Sequence, residues 1–176
     1  VSAQPFLTTD RLELWHHTRA DLEELTALVS DEGTRRFLGP EEPTIVSQWQ
    51  RLLRTAGAWS LYGYGGLAIR LKGERPIVGT CGIFPSWREE PAIIADMPEA
   101  GWITHHDFTG RGIAGEAMAG VLAWFDTAHG PQRTVCMIEQ GNQPSERLAA
   151  RLGYRQFDTC VFSKDGTTLI LYERMP

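Results

Sequence analysis

The chain has 176 residues, 22% of them charged and 42% hydrophobic, with a net charge of −5. Its length suits one domain of the usual size, roughly 100–200 residues, and residues 1–176 are read as one. The acidic balance excludes a nucleic-acid binder, which needs a basic face, and disfavours an anionic membrane, while the longest apolar or glycine run, residues 117–125, is far too short to span a bilayer.

Residues 11–15 alternate apolar and polar and predict a half-buried strand. Thr18 and Asp21 form a capping pattern before Leu22, Leu25, Leu28 and Val29, which recur at helical spacing. Gly33 and the Gly39-Pro40-Glu41-Glu42-Pro43 run break that pattern. Ile45, Trp49, Leu52, Leu53 and Ala56 make a second amphipathic helix capped by Thr44. Residues 59–71 and 77–84 read as two strands joined by a turn at 72–76, residues 85–98 as a loop, and residues 99–104 as a further strand.

Residues 111–129 form a helix whose first half is rich in glycine and alanine, and Gly130-Pro131 ends it. Residues 133–139 are a strand. Residues 144–152 are a helix with Pro144 near its start and Gly153 just past its end. Strands at 154–163 and 167–174 close the chain through Lys164-Asp165-Gly166, a hairpin turn. A hairpin-rich front, a βαβ centre and a final hairpin mean an α+β fold with a mixed sheet. Trp15, Trp49, Trp59 and Trp124 are assigned to the core; Trp87 either packs on the surface or lines an acceptor cleft.

Cys81, Cys136 and Cys160 are odd in number and have no CxxC spacing, which predicts reduced thiols, a cytoplasmic protein and no zinc site. Val1-Ser2-Ala3-Gln4-Pro5 has neither the basic nor the apolar region of a signal peptide. His105 and His106 are adjacent in a strand-to-loop segment, so their rings are expected to point apart and not to share a metal.

Thr109-Gly110-Arg111-Gly112-Ile113-Ala114-Gly115 lies between a strand and a helix start. Glycines there let successive N–H groups converge, and the unpaired N–H groups of the first helical turn add to them, which makes a nest for a pyrophosphate. A plain glycine-rich turn under a closely packed helix is the bland alternative. Gly110, Gly112 and Gly115 also fit the G-x-G-x-x-G dinucleotide pattern, with Glu139 as a ribose acid. That nicotinamide-reductase reading fails on architecture, because only one short helix and a hairpin follow Glu139.

Taken with Asn142-x-x-Ser145 and Leu152-Gly153-Tyr154, the loop resembles the GNAT superfamily of N-acetyltransferases, and most of all the branch of the ribosomal-protein N-terminal acetyltransferases. The loop fits that superfamily's Q/R-x-x-G-x-G/A motif except at Thr109. Leu7-Thr8-Thr9-Asp10-Arg11-Leu12, Gly79-Thr80-Cys81-Gly82-Ile83 and Gly101-Trp102-Ile103 are similar to its strands, in order. The resemblance implies a sheet whose central strands splay, with acetyl-CoA in the gap between residues 99–104 and 133–139. It places the pyrophosphate on the N–H groups of Arg111, Gly112, Ile113, Ala114 and Gly115, in a cofactor-binding loop that also includes Thr109 and Gly110. The pantetheine would lie along the backbone at Trp102 and Thr104, with Asn142 opposite. It implies direct attack of an amine on the thioester, Ser145 as proton donor to the leaving thiolate and Glu99 as general base, with no metal. The expected partners are acetyl-CoA and an amine acceptor, either a protein N-terminus or a small molecule, with a homodimer left open. Acidic pairs at Asp31-Glu32, Glu41-Glu42 and Glu89-Glu90 are expected to border the acceptor end and attract a cation. A non-catalytic acyl-CoA sensor would carry the same loop.

Overall fold

The computed structural model describes residues 4–176, so the leader reading at Val1-Ser2-Ala3 lies outside the described residues. Strand β1 (Leu7–Thr8) turns into β2 (Leu12–His16). The Thr18 N–H and hydroxyl both donate to the Asp21 carboxylate, 2.6 and 2.9 Å away, which starts a single 3-10 turn leading into α1 (Leu22–Ser30). Gly33 does not end helical structure as expected. It lies inside a one-turn helix, α2 (Glu32–Arg35), because the Asp31 carboxylate accepts the Thr34 N–H at 2.8 Å and caps a new start.

Helix α3 (Ile45–Tyr62) begins at the predicted cap, where Thr44 and Ser47 exchange side-chain and backbone hydrogen bonds of 3.0 and 3.1 Å. It runs six residues beyond Ala56, through the first part of the segment read as a strand. The helical spacing continues through Trp59, and the end comes only at Gly63, which adopts φ +76°. Strand β3 is correspondingly shorter (Gly66–Leu71). Strands β4 (Ile77–Ser86) and β5 (Met97–Thr104) each take two residues from the expected loop, since Pro85 and Pro98 face each other in the ladder. A 3-10 turn at Ala92–Ile94 lies in the loop between them. Helix α4 (Ile113–His129), β6 (Thr134–Glu139), α5 (Gln143–Arg151), β7 (Arg155–Val161) and β8 (Thr168–Arg174) all follow within two residues of their predicted starts, and β7 ends two residues early.

The eight strands form one sheet in the order β1-β2-β3-β4-β5-β6-β8-β7, and every neighbouring pair is antiparallel except β5 and β6. That is the expected mixed, mostly antiparallel sheet, and one parallel pair is too few for a dinucleotide fold. Helix α4 covers one face, where Ile113, Ala117, Val121 and Phe125 pack on Leu14, Leu67 and Ile69. Helices α1 and α3 cover part of the other through Leu25, Leu28 and Leu52. Ile94, under the β4–β5 loop, joins Val135, Leu169 and Leu171 on that same second face. Trp59 and Trp124 pack against the core as expected, and Trp15 is half-buried. Trp49 is not core: it is 47% exposed beside Ile45, Val46 and Leu53, because α3 is apolar on more of its circumference than the sheet can cover. Among the described residues no helix is long and apolar enough to cross a membrane.

His17, between β2 and α1, is half-buried, with its Nδ1 out of reach of solvent and unpartnered. Burial, with the charges of Arg51, His16 and Arg70 and against that of Asp21, pushes its pKa down from 6.5 to about 4. The folded state therefore keeps this ring neutral where the unfolded chain is protonated. Stability is complete above pH 6.5 and falls as pH drops towards 4, by up to about 3 kcal/mol. Urea unfolding of the parent and of His17→Gln should show a shallower loss in the variant across that window; parallel pH profiles would refute the assignment.

Candidate active site

Strands β5 and β6 run side by side but share a single register pair, Glu99 with Val135. Beyond it they part. The Ala100–Thr104 backbone keeps β4 as its neighbour on one side and faces a gap on the other. The gap is a cleft of about 130 Å³, with Glu99 to Trp102 on one wall, Cys136 to Glu139 on the other, and Asn142 and Ser145 at its mouth; Phe37 and Leu38, from the segment after α2, also line it. Sequence reasoning brought Glu99, Trp102, Asn142 and Ser145 to one place, and the fold puts them there.

The glycine loop lies beyond the end of β5. Residues His106–Phe108 make a 3-10 turn, and Gly110 and Gly112 both adopt positive φ, +74° and +77°. These alternate with Arg111, the backbone sequence from which an N–H nest is made. Glu116 N–H is the first to bond back, to Gly112 O at 3.0 Å, which leaves the N–H groups of Ile113, Ala114 and Gly115 as the open first turn of α4. Thr109, the departure from the motif, donates both its N–H (3.1 Å) and its hydroxyl (2.8 Å) to His106 O, so its side chain serves the turn.

A clasp missed in the sequence holds this loop. Glu116 accepts from the Thr9 hydroxyl at 2.5 Å, the Arg11 N–H at 2.9 Å and the Arg11 Nε at 2.6 Å, while Arg11 Nη1 donates to Arg111 O at 3.0 Å. Burial works to raise the Glu116 carboxyl, but the bonds from Thr9 and Arg11 outweigh it and hold it below the ordinary glutamate range. The Thr9-x-Arg11 pair in the first turn was the available signal.

At the mouth, Asn142 caps α5 by accepting the Ser145 N–H at 3.3 Å, so its amide NH₂ is left for other partners. The indole N–H of Trp102 crosses from β5 and donates to Ser145 Oγ at 3.3 Å. Tyr154, after α5, is buried with its hydroxyl on Thr134 Oγ1 at 2.8 Å, which anchors the helix's C-terminal end in the core.

Glu99 is 5% exposed and paired with Arg88, whose Nε also donates to Ser86 Oγ at 2.7 Å. Burial raises its pKa; the Arg88 charge and hydrogen bonds work against that without overcoming it. Cys136 lines the cleft, but burial, and after it the Glu99 charge, push its thiol far above the ordinary range, so it is no thiolate nucleophile.

The histidines depart from expectation. The rings of His105 and His106 do not point apart; their centroids lie 4.8 Å from each other at 31°. His106 reaches both ways, with Nδ1 2.7 Å from Asp31 and Nε2 3.0 Å from Asp107, and these bonds turn it alongside its neighbour. Asp31, His105 and His106 bring ligand-type atoms within 4.8 Å of one another, yet the Asp31 Oδ2 already serves the Thr34 N–H, the Thr34 hydroxyl and His106 as a helix cap. Three of the acidic-loop carboxylates have partners of their own: Glu42 with Arg35, Glu41 with Lys164, Glu90 with Ser163. Trp87 is 73% exposed and is not among the residues lining the cleft.

A family model described as an acetyltransferase (GNAT) domain matches residues 11–155. The chain belongs to the GNAT acetyltransferase family. It is accordingly an N-acetyltransferase with acetyl-CoA as co-substrate. A protein assigned to the GnaT acetyltransferase family from Bordetella pertussis is 34% identical, with a TM-score of 0.84 over 96% of this chain and 98% of that one. The uncharacterized N-acetyltransferase YoaA of Bacillus subtilis is 24% identical over 153 residues, which is 86% of this chain and 84% of YoaA. The fold is shared with the ribosomal-protein-S5-alanine acetyltransferase of Vibrio fischeri, at 16% identity and a TM-score of 0.76 over 96% of this chain and 95% of that one.

Gly112 is the position at which the loop geometry is testable. A Cβ there meets only Arg11 Nη2, at 3.4 Å, so the cost of a side chain lies in the backbone at φ +77°. Gly112→Ala should lower unfolding free energy by about 1–2 kcal/mol and weaken acetyl-CoA binding by about tenfold. Urea titration and calorimetry measure the two effects, and unchanged affinity would move the phosphate site elsewhere.

Proposed function

We propose that acetyl-CoA occupies the gap between β5 and β6 and that an amine acceptor reaches its thioester from the Glu99 side. The observation that carries this reading is the divergence of the two strands after Glu99 and Val135, because it leaves β5 backbone groups unpaired along a cleft that ends at a helix N-terminus. The pantetheine arm lies along Trp102 and Thr104 as an added strand, with the Asn142 NH₂ donating from the far side. The pyrophosphate rests on Gly110, Arg111, Gly112, Ile113, Ala114 and Gly115; the Thr109 side chain stays with its turn. The reaction belongs in the cytoplasm, where the free thiols of Cys81, Cys136 and Cys160 persist.

The proton work divides between the two sides of the cleft. An indole N–H is only a donor, so in the Trp102–Ser145 bond the serine oxygen accepts and its own O–H is left to donate. That hydrogen aims Ser145 at a leaving thiolate. Glu99 takes the proton of the attacking amine. Burial makes it a stronger base than an exposed glutamate, which narrows the gap to the amine's pKa. A free β5 N–H stabilises the tetrahedral oxyanion. With Cys136 protonated, transfer is direct, without an acyl-enzyme.

Acetyl-CoA at a hundredfold excess over its Kd should add about 2.7 kcal/mol, roughly 5–10 °C in Tm for this length. NADH, which lacks the pantetheine arm, should move Tm little, and equal shifts by thermal denaturation would contradict the placement. Ser145→Ala should lower kcat by about 10²-fold with acetyl-CoA affinity unchanged. Glu99→Gln should lower kcat and displace the acidic limb of its pH profile, with both enzymes compared on one acceptor because the acceptor itself titrates. Steady-state rates equal to the parent would remove each residue from its role.

A further inference from the structure

Glu99, on the cleft wall, is paired with Arg88, which is not itself among the residues lining the cleft but touches two that are, Glu99 and Met137. Glu99 is buried on the wall, and Arg88 lies against it from the β4–β5 loop, with Nε on Ser86 Oγ at 2.7 Å and Nη1 3.6 Å from Met137 Sδ. These bonds use one N–H on each of three nitrogens, so Nη1 and Nη2 each keep a donor. The Arg88 side chain is about a quarter exposed, at 25%, against 7% for that of Glu99, so Arg88 is the more exposed member of the pair.

That pairing discriminates among amines. A simple ammonium ion would take Glu99 and leave the guanidinium without its counter-ion in a partly dry site, which is costly. An amine that carries its own carboxylate one carbon away exchanges the internal pair for two new ones: ammonium on Glu99 and carboxylate on Arg88. Phe37, Leu38 and Met137 supply apolar walls for the rest of the molecule. The surrounding loops are tied together on this face, Glu41 to Lys164 and Glu90 to Ser163, which suits a small acceptor.

We propose that the acceptor is a small zwitterionic amine, an α-amino acid or close analogue with an apolar side chain, bound through its carboxylate by Arg88 and through its amine by Glu99. This rests on the placement of acetyl-CoA in the cleft given above. The exchange also arms the base. Once the substrate carboxylate draws Arg88 away, Glu99 loses the charge that opposed its protonation and accepts the ammonium proton. The nitrogen lone pair then forms the amide bond as the C–S bond breaks, the thiolate takes the Ser145 proton, and the second proton of the nitrogen returns to the Ser145 oxygen.

The test is thiol release from acetyl-CoA with matched acceptors: methionine and methioninamide, phenylalanine and phenylalaninamide, a short peptide with a free N-terminus, and spermidine. A carboxamide's amine is less basic than the acid's, so more of it is neutral and an indifferent site would favour the amide. The expected result is the reverse, with kcat/KM for the acid higher by about 30-fold or more. Arg88→Gln should collapse that ratio towards one, and Arg88→Lys should restore part of it. Equal or better use of amides, the peptide or spermidine by the parent overturns the proposal. So does an Arg88→Gln enzyme slowed equally on acid and amide, because Arg88 then only supports its loop. Acetyl-CoA binding without reaction on any amino acid overturns this proposal alone, whereas failure of acetyl-CoA to stabilise the protein overturns the cleft assignment beneath it.

Discussion

The divergence of one strand pair organises the molecule. β5 and β6 are parallel, so the chain must cross over between them, and α4 is the crossover. A crossover helix starts where the first strand ends. The open end of α4 therefore arrives at the same edge of the sheet where the two strands separate. Helix α5 follows β6 in the same way and brings Asn142 and Ser145 to that edge. Two helix starts and a gap between strands thus meet as a consequence of connectivity, before any side chain is chosen.

Much of this was legible in the residues, and the misses have physical causes. The helix starts at Thr44 and Asn142 and the hairpin at residues 164–166 are written in side chains that bond their own backbone, so local sequence suffices. Trp59 was misread because a tryptophan beside a Gly-rich apolar run has strand character, while the period that carries α3 on to Tyr62 shows only when counted from Leu52. The Gly110-x-Gly112 loop announced itself, since positive φ at alternate positions needs glycine. Asn142 and Ser145 were visible through their spacing. The Trp102–Ser145 bond, the Arg88–Glu99 pair and the Arg11–Glu116 clasp were not, because each joins segments that only the folded sheet brings together. The His105 and His106 rings were misplaced for the same reason: Asp31, distant in sequence, turns one of them.

The acidic balance of the chain is likewise a poor guide to its acceptor. Many of the loop carboxylates serve as caps or surface partners, as Asp31, Glu42 and Glu90 do. One buried glutamate on the cleft wall is held against one arginine, an arrangement that composition averages away. Burying such a pair gains little for the fold and often costs stability relative to apolar residues. Glu99 of that pair lies on the wall of the cleft.

The Arg11–Glu116 clasp has a consequence for how the protein acquires its activity. Its partners stand 105 to 107 positions apart in the chain. Closing a loop of that length is an entropic burden met only when the intervening sheet is in place, so the nest cannot mature on an isolated strand–loop–helix fragment. The clasped form of the glycine loop therefore depends on the global fold. On the ribosome, the first strand emerges early and waits for α4 before the glycine loop is clasped. Damage far from the cleft, at the opening turn of the chain, is transmitted to it along this single carboxylate.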